Sequence, residues 1–422
     1  MKKLKVGVFG CGRGAHIAGN LQLLGCEVVA TCDHLNDRAE NAAARLNENA
    51  KAYKHFDEFI EHGFDIAVIA NDFHQHAPYI LECMKRNIHV YSECVLNGTM
   101  AEGVQLVRAA KNSKSIVMLA ENYPHMLVCR EMRKVYQGGT LGKVLYAEGE
   151  YNHPIDPIFH KGYWKGGAPH PKHWRRHLPR TYYITHSLAP VMYITGVTPK
   201  RVTAFGSFAP PAEDVPTGDF NGDKASIILT QNEDGSVFRV TGCPALGAHG
   251  NSYRIAGTKG QIENLRGMGS QVMLQYNEWQ IPEGEQEHRL YTPNWDDPDV
   301  DVIIKSGHGG GDYVIARMFM ECIRENKQPV FPFDIYGATT MASVGILSHR
   351  SVLEGGKPFE IPDFHKEEDC VQYENDWLTP FYGENGEEPT LPCCSVPDYA
   401  PTEEQQKAHW EFIADEGKTA WD

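Results

Sequence analysis

The residues from Lys3 to Asp33 constrain this chain more than any other stretch. Lys3–Phe9 (KLKVGVF) is an apolar β-run and Gly10-Cys11-Gly12-Arg13-Gly14-Ala15 follows at once. Helix-forming residues come next, and a second apolar run, Glu27–Cys32, ends on Asp33. This is the order of a dinucleotide-binding βαβ unit. Gly10 allows the tight turn, Gly12 lets the backbone approach a pyrophosphate, and Ala15 is small enough for helix to meet strand. The helix that follows offers free N–H groups to the phosphates. Gly10, Gly12, Arg13, Gly14 and Ala15 are thus expected cofactor contacts. Asp33, about 20 residues on, can accept from both ribose hydroxyls and repels a 2′-phosphate. The expected cofactor is NAD, with Arg38 keeping NADP as the lesser alternative.

The alternation continues. Asp65–Ala70 (DIAVIA), Ile88–Ser92 (IHVYS) and Ser115–Ala120 (SIVMLA) read as buried strands, with helices over His76–Asn87 and Thr99–Lys111. This predicts a Rossmann-type, doubly wound parallel sheet covered on both faces. Ligands of such sheets lie beyond the carboxyl ends of the strands, so Asn71, His76, Glu93 and Asn122 join the expected cofactor contacts. After residue 122 the pattern changes. Lys143–Tyr151, Lys200–Phe208, Ala225–Gln231, Ser236–Thr241, Ser252–Ala256, Gln261–Leu265 and Gln271–Tyr276 are strand candidates, many joined by Gly, Asn or Asp turns. Helices return over Asp312–Arg324 and Asp334–Glu354. The expected fold is α/β. A Rossmann domain over 1–122 precedes an α+β domain with a large, open, mainly antiparallel sheet over 123–362, and an acidic, aromatic-containing extension covers 363–422. The open face predicts a homodimer or homotetramer. The extension holds 16 Asp/Glu and 3 Lys, and Trp377, Phe381, Tyr382 and Trp410 predict that it packs rather than floats.

Composition narrows the partners. With 41% apolar and 23% charged residues, the chain reads as a soluble globular protein. A net charge of −15 argues against nucleic acid. Runs of about 18 apolar residues are missing, so no membrane span is expected. Met1-Lys2-Lys3 leads straight into the first strand, which leaves no room for a signal peptide and points to the cytoplasm. Eleven cysteines without a CxxC pair read as reduced core residues, Cys32, Cys83, Cys129 and Cys322 among them. Cys393-Cys394, in the polar tail, read as exposed bystanders. His170, His173 and His177 share one loop, but Pro169, Pro171 and Pro179 spoil a helix there and no acid or cysteine completes a set, so no metal is expected.

Chemistry-bearing residues gather in the second half. Tyr151-Asn152-His153 ends a strand, Tyr183-Ile184-Thr185-His186-Ser187 enters an apolar helix, and His308-Gly309-Gly310-Gly311-Asp312-Tyr313 reads as a loop opening a helix. His is the usual acid or base near neutral pH, and Tyr serves when its pKa is lowered. Arg175, Arg176 and Arg180 are candidates for binding a carboxylated or sulfated sugar, or for pairing with local acids.

On these residues the chain resembles the glucose–fructose oxidoreductase/inositol dehydrogenase (Gfo/Idh/MocA) family. Within it, the chain looks closest to the NAD-dependent α-N-acetylgalactosaminidase branch of glycoside hydrolases. The matching pieces are Glu121-Asn122-Tyr123, Gly149–His153, Tyr183–Leu188 and His308–Tyr313, within a resemblance that covers roughly residues 3–360. Ordinary dehydrogenases of the family carry Glu-Lys-Pro after the fifth strand, and this chain has Glu93-Cys94-Val95. The glycosidase branch also lacks that lysine. Ile184 stands where the branch usually has proline, which bears on the substrate more than on the mechanism.

The resemblance implies that NAD is catalytic and not consumed. Oxidation at sugar C3 acidifies the C2 proton, elimination expels the C1 group, and water addition and re-reduction complete the cycle. It further implies that Tyr183 or His186 assists deprotonation at the C3 hydroxyl or at C2, that Tyr151 and His153 line the sugar, and that His308 acts near the anomeric centre as acid or hydroxyl ligand. Glu121 would hold nicotinamide or sugar hydroxyls, with Asp312 and Arg176 as further sugar contacts. Two alternatives stay open: a net NAD-dependent glycoside 3-dehydrogenase, and a non-catalytic sugar or nucleotide sensor.

Overall fold

The computed structural model describes residues 3–153, 172–208, 222–244, 247–399, 402–405 and 407. The first sheet contains β1 (Lys5–Phe9), β2 (Glu27–Cys32), β3 (Lys51–Tyr53), β4 (Ile66–Ile69), β5 (His89–Ser92) and β6 (Val117–Leu119). Their order is β3-β2-β1-β4-β5-β6 and each pairing is parallel. β4 is apolar along its whole length and β1 nearly so because helices cover both faces: Val6, Val8, Ile66 and Val68 are fully buried, as is Val90 on β5. The helices are α1 (Arg13–Leu23), α2 (Asn36–Leu46), α3 (Phe56–Phe59), α4 (His76–Lys85) and α5 (Met100–Ala110). Strand order reverses between β1 and β4, and the crevice beyond their carboxyl ends is where ligands of such sheets bind.

Among the described residues the second sheet has nine strands: β7 (Val144–Asn152), β8 (Pro199–Ser207), β9 (Ala225–Asn232), β10 (Val237–Gly242), β11 (Gly250–Gly257), β12 (Gly260–Asn264), β13 (Val272–Tyr276), β14 (His288–Tyr291) and β15 (Phe359–Glu360). They lie in the order β14-β13-β12-β11-β7-β10-β9-β8-β15. β7 and β10 run parallel, and the other pairings are antiparallel. Along β7, Ala147, Gly149 and Tyr151 face inward and alternate with half-buried Glu148 and Glu150. The inner face is covered by α6 (Leu127–Gln137), α7 (Thr185–Thr195) and α10 (Ile335–Leu353). At Gly149 a Cβ would lie 2.0 Å from the Ser187 carbonyl oxygen, so α7 rests directly on the β7 backbone. That contact brings the start of α7 beside the end of β7.

Chain order and spatial grouping differ in one respect. Of the remaining helices, α8 (Val300–Ile303), α9 (Gly311–Glu325) and α11 (Glu367–Val371), α9 packs on α1 at the first sheet. Phe319 stacks on Tyr91 at 4.8 Å, and Met320 joins the same core as Val6 and Ile17. The extension is seated as its aromatics predict: Phe381 is buried against His74, although Trp377 is half exposed and Trp410 lies outside the described residues. The expectation for the paired cysteines is corrected. Cys394 is buried and its thiol donates to the Val396 carbonyl, so it is no exposed bystander.

Candidate active site

The site is built where β4, β5 and β6 end and where β7 meets α7. Glu121 follows β6 and is fully buried, and its two oxygens lie 2.7 and 2.9 Å from His186 Nδ1. The Cys94 thiol donates to the same carboxylate at 3.1 Å, and the Tyr123 backbone N–H donates at 3.2 Å. Burial pushes the Glu121 carboxyl up, but the charge and hydrogen bond of His186 outweigh it and the group lies below its ordinary value. With Nδ1 on Glu121, His186 turns Nε2 to the Tyr183 hydroxyl at 3.3 Å. Burial, then the charge of Glu93, hold that hydroxyl well above the usual tyrosine range.

The sequence sets His186 in place through a proline. Pro190 has no N–H, so the His186 carbonyl lacks its partner one turn later in α7. The hydroxyl of buried Tyr253, on β11, donates to that carbonyl at 2.7 Å. Tyr123 stacks on the His186 ring at 4.3 Å, and Tyr151 meets it edge-on at 4.7 Å. His153 and His249 lie beyond, each with ring centroid 6.0 Å from that of Tyr151.

A second imidazole–carboxylate pair also neighbours Tyr123. His308, with its ring centroid 5.9 Å from Tyr123, bonds Asp312 through Nδ1 at 2.9 Å. Asp312 also accepts from Arg13 at 2.6 and 3.2 Å and from Asn122 at 2.7 Å. Burial pushes its carboxyl up, but the His308 hydrogen bond and the Arg13 charge hold it well below the usual range. Arg13 thus ties α1 to α9 across the two halves of the chain.

Comparison with known proteins decides the family. Residues 4–121 match the oxidoreductase family with an NAD-binding Rossmann fold, and residues 129–263 match the GFO/IDH/MocA C-terminal domain. Residues 220–369 match the C-terminal domain of glycosyl hydrolase 109. The chain belongs to the Gfo/Idh/MocA family. As a member it is an NAD-binding enzyme. A glycosyl hydrolase family 109 protein of Streptomyces niveus is 26% identical, over 92% of this chain and 81% of its own. One of Shewanella sp. (strain W3-18-1) is 24% identical over 86% and 85%. Among solved structures, levoglucosan dehydrogenase in complex with NADH and levoglucosan matches at TM-score 0.66 and 18% identity, over 86% of this chain and 100% of its own. GenD2 from gentamicin A biosynthesis, in complex with NAD, matches at TM-score 0.62 and 18% identity, over 86% and 97%.

The cofactor side of this Gfo/Idh/MocA protein fits NAD on its own geometry. Gly10 has φ +86, and a Cβ there would lie 2.1 Å from the Ala70 carbonyl oxygen. A Cβ on Gly12 would meet nothing within 4 Å, so the turn leaves open space before α1. The N-terminus of α1 has no side-chain cap and no acid in its first turn, which keeps its N–H groups for an anion. Asp33 is oriented by the backbone N–H groups of Cys11 and Leu35. The Oδ1 atoms of Asn71 and Asn122, at the ends of β4 and β6, are buried with no partner among the described residues.

His76 turns its ring nitrogens to the Val95 and Asn71 carbonyls at 2.6 and 3.4 Å, so it braces the loop after β5. Glu93 is half-buried, and desolvation pushes its carboxyl up. Asp312 spends its oxygens on Arg13, His308 and Asn122. The side chain of Arg176 and the whole of His170 lie outside the described residues. His173 stacks on Trp174 and His177 meets Tyr382, so the two face different neighbours. Tyr253 and His249 drew no weight from sequence, and of the two only Tyr253 had a signal, the proline inside α7; Cys94, singled out by sequence as standing where related dehydrogenases carry lysine, donates to Glu121.

Proposed function

We propose that this enzyme cleaves glycosides by transient oxidation at sugar C3, elimination across C1 and C2, water addition and re-reduction. The observation that carries this reading is the pair of imidazoles that both neighbour Tyr123, each oriented by its own buried carboxylate. Oxidation–elimination needs one group to move a proton at C2 or at the C3 hydroxyl and another at the leaving oxygen on C1. Bound NAD supplies a reversible hydride acceptor for C3. Gly10, Gly12, Gly14, Ala15, Asp33, Asn71 and Asn122 would hold it.

The protein's own groups handle the protons. Glu121 accepts from His186 Nδ1–H and leaves Nε2 as an acceptor toward Tyr183. Tyr183 keeps its proton at neutral pH, so it acts as a conduit to His186 rather than as a standing phenolate. His308, with Nδ1 on Asp312 and a half-exposed ring, serves as acid at the departing oxygen. Tyr151 and His153 form the sugar wall. The net dehydrogenase alternative is consistent with the solved neighbours, among them levoglucosan dehydrogenase.

Three further readings belong with this one. Residues 1–122 bind the nucleotide, 123–362 the sugar. The open face of the second sheet pairs with a second copy of the chain. The protein works in the cytoplasm; no helix among the described residues is long and apolar enough to cross a membrane.

The test is incubation in D₂O with NAD and a panel of aryl glycosides, followed by mass spectrometry of the sugar. Deuterium at C2 with released aglycone is expected. A ketosugar with its glycosidic bond intact and stoichiometric reduced cofactor would overturn the reading in favour of net oxidation.

A further inference from the structure

We propose that Arg13 is a positioning residue for His308: it fixes the Asp312 carboxylate that sets the tautomer of that imidazole, and it does so from inside the cofactor-binding turn. The inference rests on the two-imidazole reading above and adds a residue to its proton-handling machinery.

The direction of the side chain is the first support. Arg13 opens α1, in the turn that sequence marks for the pyrophosphate, yet its guanidinium reaches the start of α9. Nη2 donates to Asp312 Oδ1 at 2.6 Å and Nη1 to Oδ2 at 3.2 Å. Such a paired contact fixes the plane of a carboxylate as well as its position, which a single donor does not. Burial disfavours the Arg13 charge, but the charge and hydrogen bonds of Asp312 outweigh it and hold the guanidinium proton more firmly than in an ordinary arginine. The paired donors thus serve Asp312 rather than a phosphate.

The carboxylate is shared, oxygen by oxygen. Oδ2 also lies 2.9 Å from His308 Nδ1, and Oδ1 accepts from Asn122 Nδ2 at 2.7 Å. Each oxygen therefore serves Arg13 and one other partner. The backbone around it is close. A Cβ on Gly307 would lie 2.3 Å from Oδ2, and one on Gly311 would lie 2.3 Å from the Asn122 carbonyl oxygen. The start of α9 is seated on the residue after β6, and a turn of the carboxylate plane passes straight to the imidazole.

His308 depends on that hold. Its φ is +53, and Gly309 and Gly310 follow at +58 and +95. Left-handed backbone is costly for a residue with a Cβ and persists where the surroundings over-determine it. The ring is 40% exposed, so packing covers little of it. Which ring nitrogen keeps the proton is then set by the bond the other makes. With Nδ1–H on Asp312, Nε2 is the nitrogen left to give a proton to the departing oxygen and to stay bare afterwards. Without that bond, a neutral imidazole in water carries its proton mainly on Nε2.

The test is nitrogen-15 NMR of the full-length, NAD-loaded protein with labelled histidine, at a pH where the imidazoles are neutral. Loss of one signal in His308→Asn assigns it. The wild type should carry the His308 proton on Nδ1. Arg13→Gln should return it to a mixture dominated by Nε2–H. Arg13→Lys keeps the charge without the paired geometry and should lie between the two. NAD affinity, from fluorescence titration, should stay within about threefold of wild type in both variants. On the aryl glycoside that the D₂O assay identifies, Arg13→Gln should lower kcat about tenfold or more and change KM about twofold or less. An Nδ1–H tautomer that survives Arg13→Gln would overturn the proposal. So would a loss of NAD affinity of about tenfold, which would make Arg13 a cofactor ligand instead. Should Arg13→Gln fail to fold, Arg13→Lys decides alone, and a wild-type tautomer population there would also overturn the proposal. The tautomer is read without turnover, so a failure here is distinct from a failure of C2 exchange in D₂O, which would sink the glycosidase reading instead.

Discussion

At the scale of single residues the site is a set of oriented imidazoles, and orientation is what substitution should reveal. Tyr183→Phe removes the hydroxyl that faces His186 Nε2 and should abolish turnover with NAD still bound; full activity would remove Tyr183 from the mechanism. Tyr253→Phe reaches the same imidazole indirectly. It leaves the His186 carbonyl, already deprived of its helical partner by Pro190, without a donor. The cost should be about 1–3 kcal/mol of stability, with kcat falling more than KM rises as the imidazole loses its placement. Asp312 gives a pH signature. Its folded pKa is depressed, so its contribution to stability is present above the unfolded aspartate value and is lost as pH falls through the folded value. Chemical denaturation of wild type and Asp312→Asn should differ by about 3 kcal/mol at neutral pH and converge in acid. The Tyr183–His186 and His308–Asp312 contacts were legible because each pair lies three or four residues apart in sequence. Tyr253 was not, because its task exists only once β11 lies against α7. The expected contact of Asp312 with sugar gave way to Arg13 for the same reason: the two residues are 299 apart in sequence.

At the scale of elements, the extension after β15 works as a strap. Arg108 of α5 pairs with Glu367 and Glu374, and Arg350 of α10 grips Asp376 through two bonds of 2.5 and 2.7 Å. Phe381 then stacks on His74 at 4.4 Å, and the Tyr382 carbonyl receives His74 Nε2 at 3.2 Å. Lys172 bonds the Gly386 carbonyl at 3.0 Å and closes the strap onto the segment that carries Trp174 and Arg175. The loop after β4 is therefore held from behind by the strap and from the side by Trp174, which stacks on Phe73. Phe381→Ala should cost about 3–5 kcal/mol of stability. It should also weaken NAD binding, measured by fluorescence titration under conditions where the variant is folded; unchanged NAD affinity would reduce the strap to packing. The sequence marked the aromatics as packed but not their partner, since stacking on His74 leaves no trace in local periodicity. Long apolar strands such as β2 and β9 were legible from their patterns. β3, β14 and β15 were not, being two to four residues long with mostly polar or half-exposed side chains.

At the scale of the whole molecule, the outer face of the second sheet is the feature that a single copy leaves unexplained. Phe205 on β8 lies opposite Ile227 on β9, and Leu229 lies opposite Arg239 on β10. Phe205, Ile227 and Leu229 are 62%, 45% and 40% exposed, and Val237, on the same side of β10 as Arg239, extends the patch. Toward the sheet centre the face turns polar: Glu148 accepts from the Tyr146 hydroxyl and pairs with Arg239 and Arg254, and Gln261 bonds Gln275 at 2.6 Å. An apolar flank beside a satisfied polar centre resembles an interface more than a solvated surface, since contiguous apolar patches on monomers are small. A self-complementary contact about a two-fold axis would cover it with a second copy. Sedimentation equilibrium at micromolar concentration should then give a dimer or a tetramer. Ile227→Glu with Leu229→Glu, which places two carboxylates per copy in the contact, should shift the protein to monomer. Far-ultraviolet circular dichroism should stay unchanged, because both side chains already face outward. A wild-type monomer at that concentration would end the two-fold reading and leave the patch for another partner. A double variant that stays associated would move the interface elsewhere on the surface.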